Sequence, residues 1–252
     1  MVLNWAGDPV TPQELDETSF TSGRAASLQL DVLTAARRRG SLAYPVQSLE
    51  ALFAEIDAGH PVLLFQNLGY DWFPVWHFSV AVGYDVASHS LIQHTGREQA
   101  RPVSLFTFER TWGRVDRWGL VVLPAGTLPA TAHEASYLEA ALGLEIAGRP
   151  VEAVLAYQAA TLRWPDSVGA WMGLGNARYA ASDLGGAGQA YERATQLDPE
   201  AAVAFNNLAQ VLLELGRREA ARAAVERAIE LGGPHLESFE RTRGEIRNSP
   251  PP

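Results

Sequence analysis

A spacing of 34 residues recurs through the second half of this chain, and it restricts the fold more than any other feature of the sequence. Pro165 and Pro199 stand one period apart, and Gly233-Pro234 falls one period further on. On the same spacing Tyr137, Trp171 and Phe205 align, and so do Ala153, Ala187 and Ala221. Tyr157, Tyr191 and Val225 form a third column, and Ala160, Ala194 and Ala228 a fourth. Each column suits stacked helix pairs. Alanine lets two helix backbones approach closely, an aromatic ring fills the space between successive pairs, and proline cannot continue a helix. One such unit cannot bury its apolar face alone, so its neighbours must stack on it.

The period and the columns resemble the tetratricopeptide repeat. The spacing predicts three units, 134–167, 168–201 and 202–235, then a capping helix over 236–247 and a disordered tail over 248–252. Two features depart from the pattern. Arg178 stands where an apolar residue or tyrosine is usual, and Gly185-Gly186 loosens the middle turn. The resemblance implies a groove, lined by the first helix of each unit, that takes a protein or peptide partner. Asn176 and Asn207 fall where some members of the family grip a peptide's terminal carboxylate. Met172 occupies a place where a lysine would help that clamp. The two asparagines read first as consensus helix-packing residues and only second as ligand contacts, and no specific ligand follows from them.

Composition excludes several classes of function. The 252 residues allow one large domain or two ordinary ones. A hydrophobic fraction of 47% with 19% charged residues is that of a globular chain. A net charge of −9 argues against nucleic acid as a partner, because a phosphate backbone needs a basic surface. All 20 basic residues are arginine. With no cysteine there is neither disulfide nor thiolate metal site. His60, His89, His133 and His235 sit at turns without metal-ligand spacing, so no metal is expected. Neither a Gly-rich phosphate loop nor a Gly-x-Ser-x-Gly elbow occurs, and no cofactor is expected. No apolar run reaches membrane-spanning length, and Met1–Gly7 lacks the basic start of a signal peptide. The sequence leaves the compartment open.

Residues 124–133 hold two prolines and a glycine without periodicity, and read as a linker. Upstream, Thr11-Pro12-Gln13-Glu14 is a capping box that opens a short helix. Ser27 can cap a helix over 28–39 ended by Gly40, and Ser48 one over 49–58 ended by Gly59. Residues 61–66 read as a buried strand. Residues 76–85 and 90–95 read as a hairpin, with a short helix near 104–112 and a last strand over 118–123 following it. Helices first and an antiparallel sheet after make an α+β fold. Alternation places Trp76, Phe78, Val80, Val82 and Tyr84 on one face of the 76–85 strand. His77, Ser79, Ala81 and Gly83 share the other, which leaves room against the imidazole. Asp85 shapes a turn, while Asp71, Trp72 and Trp76 either line a substrate cleft or only cover the sheet edge.

Three segments, Gly59-His60-Pro61-Val62-Leu63, Trp76-His77-Phe78 and Val82-Gly83-Tyr84-Asp85, resemble those of C39-like peptidases, a bacterial branch of the papain-like thiol peptidases. The resemblance covers most of 1–123 and implies a papain-like α+β domain. It implies His77 as general base to a cysteine on a facing helix. A segment like Met1–Gly7 ends that helix in the family, so the chain is expected to begin just downstream of the nucleophile. The third member of the triad should fall near Gln93 to Thr95, where no carboxylate occurs. His94 or Gln93 would then have to orient the imidazole, or nothing does. Two functions follow as expectations. One is a cysteine peptidase with a repeat domain, inactive without its cysteine. The other is a non-enzymatic repeat adaptor carrying a degenerate peptidase-like domain.

Overall fold

The computed structural model describes residues 1–11, 28–96 and 98–249. The chain divides into two compact units, 1–149 and 150–252. The helix expected after Thr11, and the Ser27 cap, lie outside the described residues.

In the first unit the described elements are α1 (Val2–Trp5), α2 (Leu28–Arg38), β1 (Ser41–Pro45), α3 (Leu49–Asp57) and β2 (Val62–Asn67). Then come β3 (Trp76–Asp85), β4 (Ser90–Thr95), β5 (Glu98–Ser104), α4 (Leu105–Gly113), β6 (Gly119–Pro124) and α5 (Glu134–Ile146). Ser48 opens α3 as expected, its Oγ accepting from the Ala51 N–H at 3.1 Å. Gly59 ends it with φ +81°, a backbone state that favours glycine. The six strands form one antiparallel sheet in the order β1-β6-β2-β3-β4-β5. The sheet upstream of the repeats is therefore as expected, with two strands, β1 and β5, that the sequence reading did not anticipate.

Both faces of the sheet are covered. Val2, Leu3 and Ala6 around α1, with Ala36 of α2, pack on Leu63, Val80, Leu120 and Val122. The opposite face meets α4, where the Gln66 Nε2 donates to Thr111 Oγ1 at 2.8 Å, and α3, where Phe53 lies against the Tyr84 ring. Tyr84 does not share a face with Phe78 and Val80, contrary to strict alternation. The register with β4 shifts between Ala81 and Gly83, where Val82 is an extra residue in β3. Such a bulge turns every later side chain to the other face.

A buried carboxylate ties down the segment that reads as a linker. Glu55 of α3 is fully buried and accepts from the Ala130 N–H (3.1 Å), the Thr131 N–H (2.8 Å) and the Thr131 hydroxyl (2.7 Å). His60 Nδ1 lies 2.6 Å from the same carboxylate. Tyr44 completes the anchor. Its hydroxyl donates to the Thr131 carbonyl at 2.9 Å and accepts from the His133 N–H at 3.2 Å. Residues 130–133 thus hold a fixed path against the sheet unit, because leaving four donors around a buried charge unpaired would be costly. α5 lies against the edge strand β1.

The second unit contains α6 (Pro150–Arg163), α7 (Val168–Ala180), α8 (Leu184–Leu197), α9 (Ala202–Glu214), α10 (Arg218–Leu231) and α11 (Leu236–Asn248). Ser167 caps α7 through the Ala170 N–H at 3.0 Å, and Asp183 caps α8 through the Gly186 N–H at 2.9 Å. Ala153, Ala187 and Ala221 are fully buried, as are Ala160, Ala194 and Ala228. A Cβ on Gly175 would stand 2.4 Å from the Tyr191 ring, so the tyrosine column needs glycine opposite it. Arg178 takes over the work of the usual apolar residue by reaching the next helix. Its guanidinium donates to the Gly186 carbonyl at 3.0 Å and lies 3.8 Å from Asp183. A Cβ on Gly186 would meet the Asp183 carboxylate at 2.1 Å, so glycine there leaves room for the capping side chain.

Candidate functional site

The first unit brings His77 together with Thr95. His77 pairs with Gln66 in the sheet register, which puts its imidazole on the α4 face, while α1 packs on the opposite face. The helix at Met1 therefore does not fill the space in front of His77. Nε2 of His77 is hydrogen-bonded to the Thr95 hydroxyl. Burial, and secondarily the Arg101 guanidinium, hold the imidazole below its usual pKa. Neither His94 nor Gln93 orients it. His94 Nδ1 accepts from the Ala100 N–H at 3.0 Å, and Gln93 is a buried residue paired with Ala81 and Arg101. Ser79, the next hydroxyl on this face, donates to Gln66 at 2.8 Å. The site is an imidazole with a hydroxyl partner, in a chain without a thiol.

Asp71, Trp72 and Trp76 lie on and beside the tip of the β2–β3 hairpin. Tyr70 and Phe73 bridge across the tip, and the Asn67 side chain accepts from the N–H groups of Gly69 and Val75 at 3.0 Å each. Trp72 is 82% exposed on this ordered loop, stacked on Tyr70.

In the second unit, Asn176 and Asn207 meet at the seam of α7 and α9. The Tyr191 hydroxyl of α8 donates to Asn176 Oδ1 at 2.8 Å, and the Asn207 amide approaches the same oxygen at 3.5 Å. One turn along α7, the Tyr179 hydroxyl donates to Glu214 of α9 at 2.5 Å. That hydrogen bond, more than burial, raises the Tyr179 pKa. Asn176, Tyr179, Asn207 and Glu214 therefore form one polar row along two neighbouring helices. Met172 packs into the apolar cluster of Ala187, Tyr191 and Leu208, so it leaves the row without a cation. Asn176 and Asn207 were legible from their positions. Tyr179 and Glu214 were not, because only their i, i+3 and i, i+7 spacing from the asparagines, on two helices taken together, reveals them.

Residues 138–202 and 178–234 match family models described as tetratricopeptide repeat. These matches begin at residue 138, and the resemblance of 1–123 to C39-like peptidases has no counterpart among them. No curated protein matches the chain. Among solved structures, the chain is similar to the type III secretion translocator chaperone SycD of Yersinia enterocolitica. Identity there is 19%, over 45% of this chain and 82% of that one, with a TM-score of 0.43. SycD is also known in complex with a peptide of the translocator YopD. MamA protein is similar at 22% identity, over 45% of this chain and 62% of that one, with a TM-score of 0.42. The first such repeat domain of Spaghetti (RPAP3), bound to the HSP90 peptide SRMEEVD, is similar at 18% identity. That likeness spans 45% of this chain and 90% of the other, with a TM-score of 0.43. The C-terminal region of this chain is built of tetratricopeptide repeats.

Proposed function

We propose that this protein is a non-enzymatic interaction protein whose repeats hold a peptide segment of a partner protein across the α7–α9 face. The observation that carries the reading is the bond from Tyr191 to Asn176. It occupies Oδ1 and leaves the Asn176 amide hydrogens to donate to a peptide carbonyl. Asn207, whose amide points at Asn176, keeps its Oδ1 to accept a peptide N–H. Two carboxamides set this way match the alternating donors and acceptors of an extended backbone. With Met172 packed inward and Arg178 turned to Gly186, a backbone-reading role suits this face better than capture of a terminal carboxylate.

The proposal does not extend to hydrolysis. The sequence has no cysteine, and His77 is bonded to Thr95 on the face away from α1.

Phage-displayed peptides selected on the purified chain test the reading. Selected peptides should bind the Asn176→Ala/Asn207→Ala double variant at least about ten-fold more weakly, as expected when two hydrogen bonds to the peptide are lost, while circular dichroism shows the helices still folded at the assay temperature. Equal affinity for both proteins, or failure to select any peptide, would overturn it.

A further inference from the structure

The second unit carries another surface, of different chemistry, at the far end of the repeats. A groove of about 1030 Å³ opens between α10, the turn before it, and α11. Arg217, Arg218, Arg222, Arg243 and Arg247 line it. A quarter of the chain's 20 arginines thus meet in one place, on a protein whose net charge is −9. Glu219, Glu226 and Glu240 also line the groove, but they do not neutralise it. Arg222 pairs with Glu219 at 2.8 Å, and Arg243 is divided between Glu226 and Glu240 at 3.9 Å each. Such exposed pairs exchange readily with other anions. Arg218 donates to the Arg247 carbonyl at 2.6 Å. Among the described residues, no carboxylate lies within ion-pair distance of Arg217 or Arg247. Arg217 and Arg218 also stand at the start of α10, where the helix dipole opposes a cation and favours an anion beside it.

We propose that this groove is a docking site for an acidic peptide segment, one rich in aspartate or glutamate. Guanidinium groups present paired N–H donors that match a carboxylate in fork geometry. The volume lies at the upper end of the range for binding pockets, enough for several side chains rather than a single ion. The floor is small and open. Gly244 faces the groove, and a Cβ built on it meets nothing within 4 Å. A short acidic segment meets five arginines against three glutamates in this groove, a local excess of positive charge. A long polyanion such as nucleic acid would run onto the surrounding acidic protein, which disfavours it.

Fluorescence anisotropy with a fluorescein-labelled ten-residue glutamate peptide, in about 50 mM salt where screening is weak, tests the proposal. The peptide should bind the full chain, and its glutamine analogue should not. Arg217→Glu/Arg247→Glu should weaken binding by about ten-fold or more. So should Gly244→Glu, which adds a competing carboxylate without a clash. Both variants should stay fully folded at the assay temperature by circular dichroism. Arg193→Glu on α8 and Asn176→Ala/Asn207→Ala should leave the glutamate peptide's affinity unchanged, which separates this site from the α7–α9 face. Equal binding of the glutamine analogue, no loss in either groove variant, or equal binding of a ten-nucleotide thymidine oligomer would overturn the proposal.

Discussion

Replacing Glu55 by alanine should unfasten residues 130–133 and destabilise the sheet unit more than any surface change of similar size. The carboxylate is fully buried and has four donors within 3.1 Å: His60 Nδ1, the N–H groups of Ala130 and Thr131, and the Thr131 hydroxyl. Removing one side of a buried, hydrogen-bonded charge costs ~3–5 kcal/mol, and each backbone N–H left unpaired in the interior costs ~1–3 kcal/mol of that. We expect a loss of about 4 kcal/mol. In a unit of this size each kcal/mol is worth ~2–4 °C, so melting should fall by about 10 °C. Glu55→Gln keeps the volume but turns an NH2 toward donors, and should lose about half as much. Calorimetry gives the size, and hydrogen exchange gives the place: the amides of Ala130 and Thr131 should lose protection in both variants. A loss under about 1 kcal/mol with protection unchanged would refute the anchoring role, since it would mean the donors find water instead.

Four further outcomes follow from particular contacts. Gly175→Val should destabilise the repeat unit by about 2–3 kcal/mol in urea melts, because its Cβ would stand 2.4 Å from the Tyr191 ring. Gly185→Ala, whose Cβ meets nothing nearer than 4.0 Å, should instead stabilise by up to ~1 kcal/mol. His77 should titrate below its usual 6.5 by NMR, since burial and then Arg101 disfavour its charged form. The unfolded chain takes up that proton first, so the contribution to stability is present above about pH 6.5 and lost as pH falls through the folded value. A His77 titration at or above 6.5 would contradict this. Tyr179 has the opposite sign. Its hydrogen bond to Glu214 raises its pKa, so the contribution is present below about pH 10 and lost as pH rises through the folded value. Ultraviolet titration of Tyr179→Phe should show one fewer late-ionising phenol.

Much of the helical half was legible because its constraints repeat at fixed spacing. Ala153, Ala187 and Ala221 sit where only a small side chain fits, and the same steric demand recurs each period. The sheet unit was less legible, because its decisive contacts are distant in sequence. β1 is five residues long and takes its meaning from pairing with β6. β5 carries Glu98, Arg101 and Pro102, is mostly exposed along one sheet edge, and shows no alternation. The bulge at Val82 leaves no mark in composition, yet it moves Tyr84 to the other face. Glu55 reads as an ordinary acid in an amphipathic helix, and its partner Thr131 lies 76 positions away. At the candidate site, the two asparagines stood out by position. Tyr191 read as a column filler, and nothing in sequence marked its hydroxyl as the donor that fixes Asn176.

The side-chain carboxamide resonances of Asn176 and Asn207, followed by NMR as a selected peptide is added, test the central claim most directly. Both pairs should shift together and saturate with the peptide, while those of Asn206, buried on the same helix, and of Asn67 in the sheet unit stay in place. Saturable binding that leaves Asn176 and Asn207 unmoved would contradict the account.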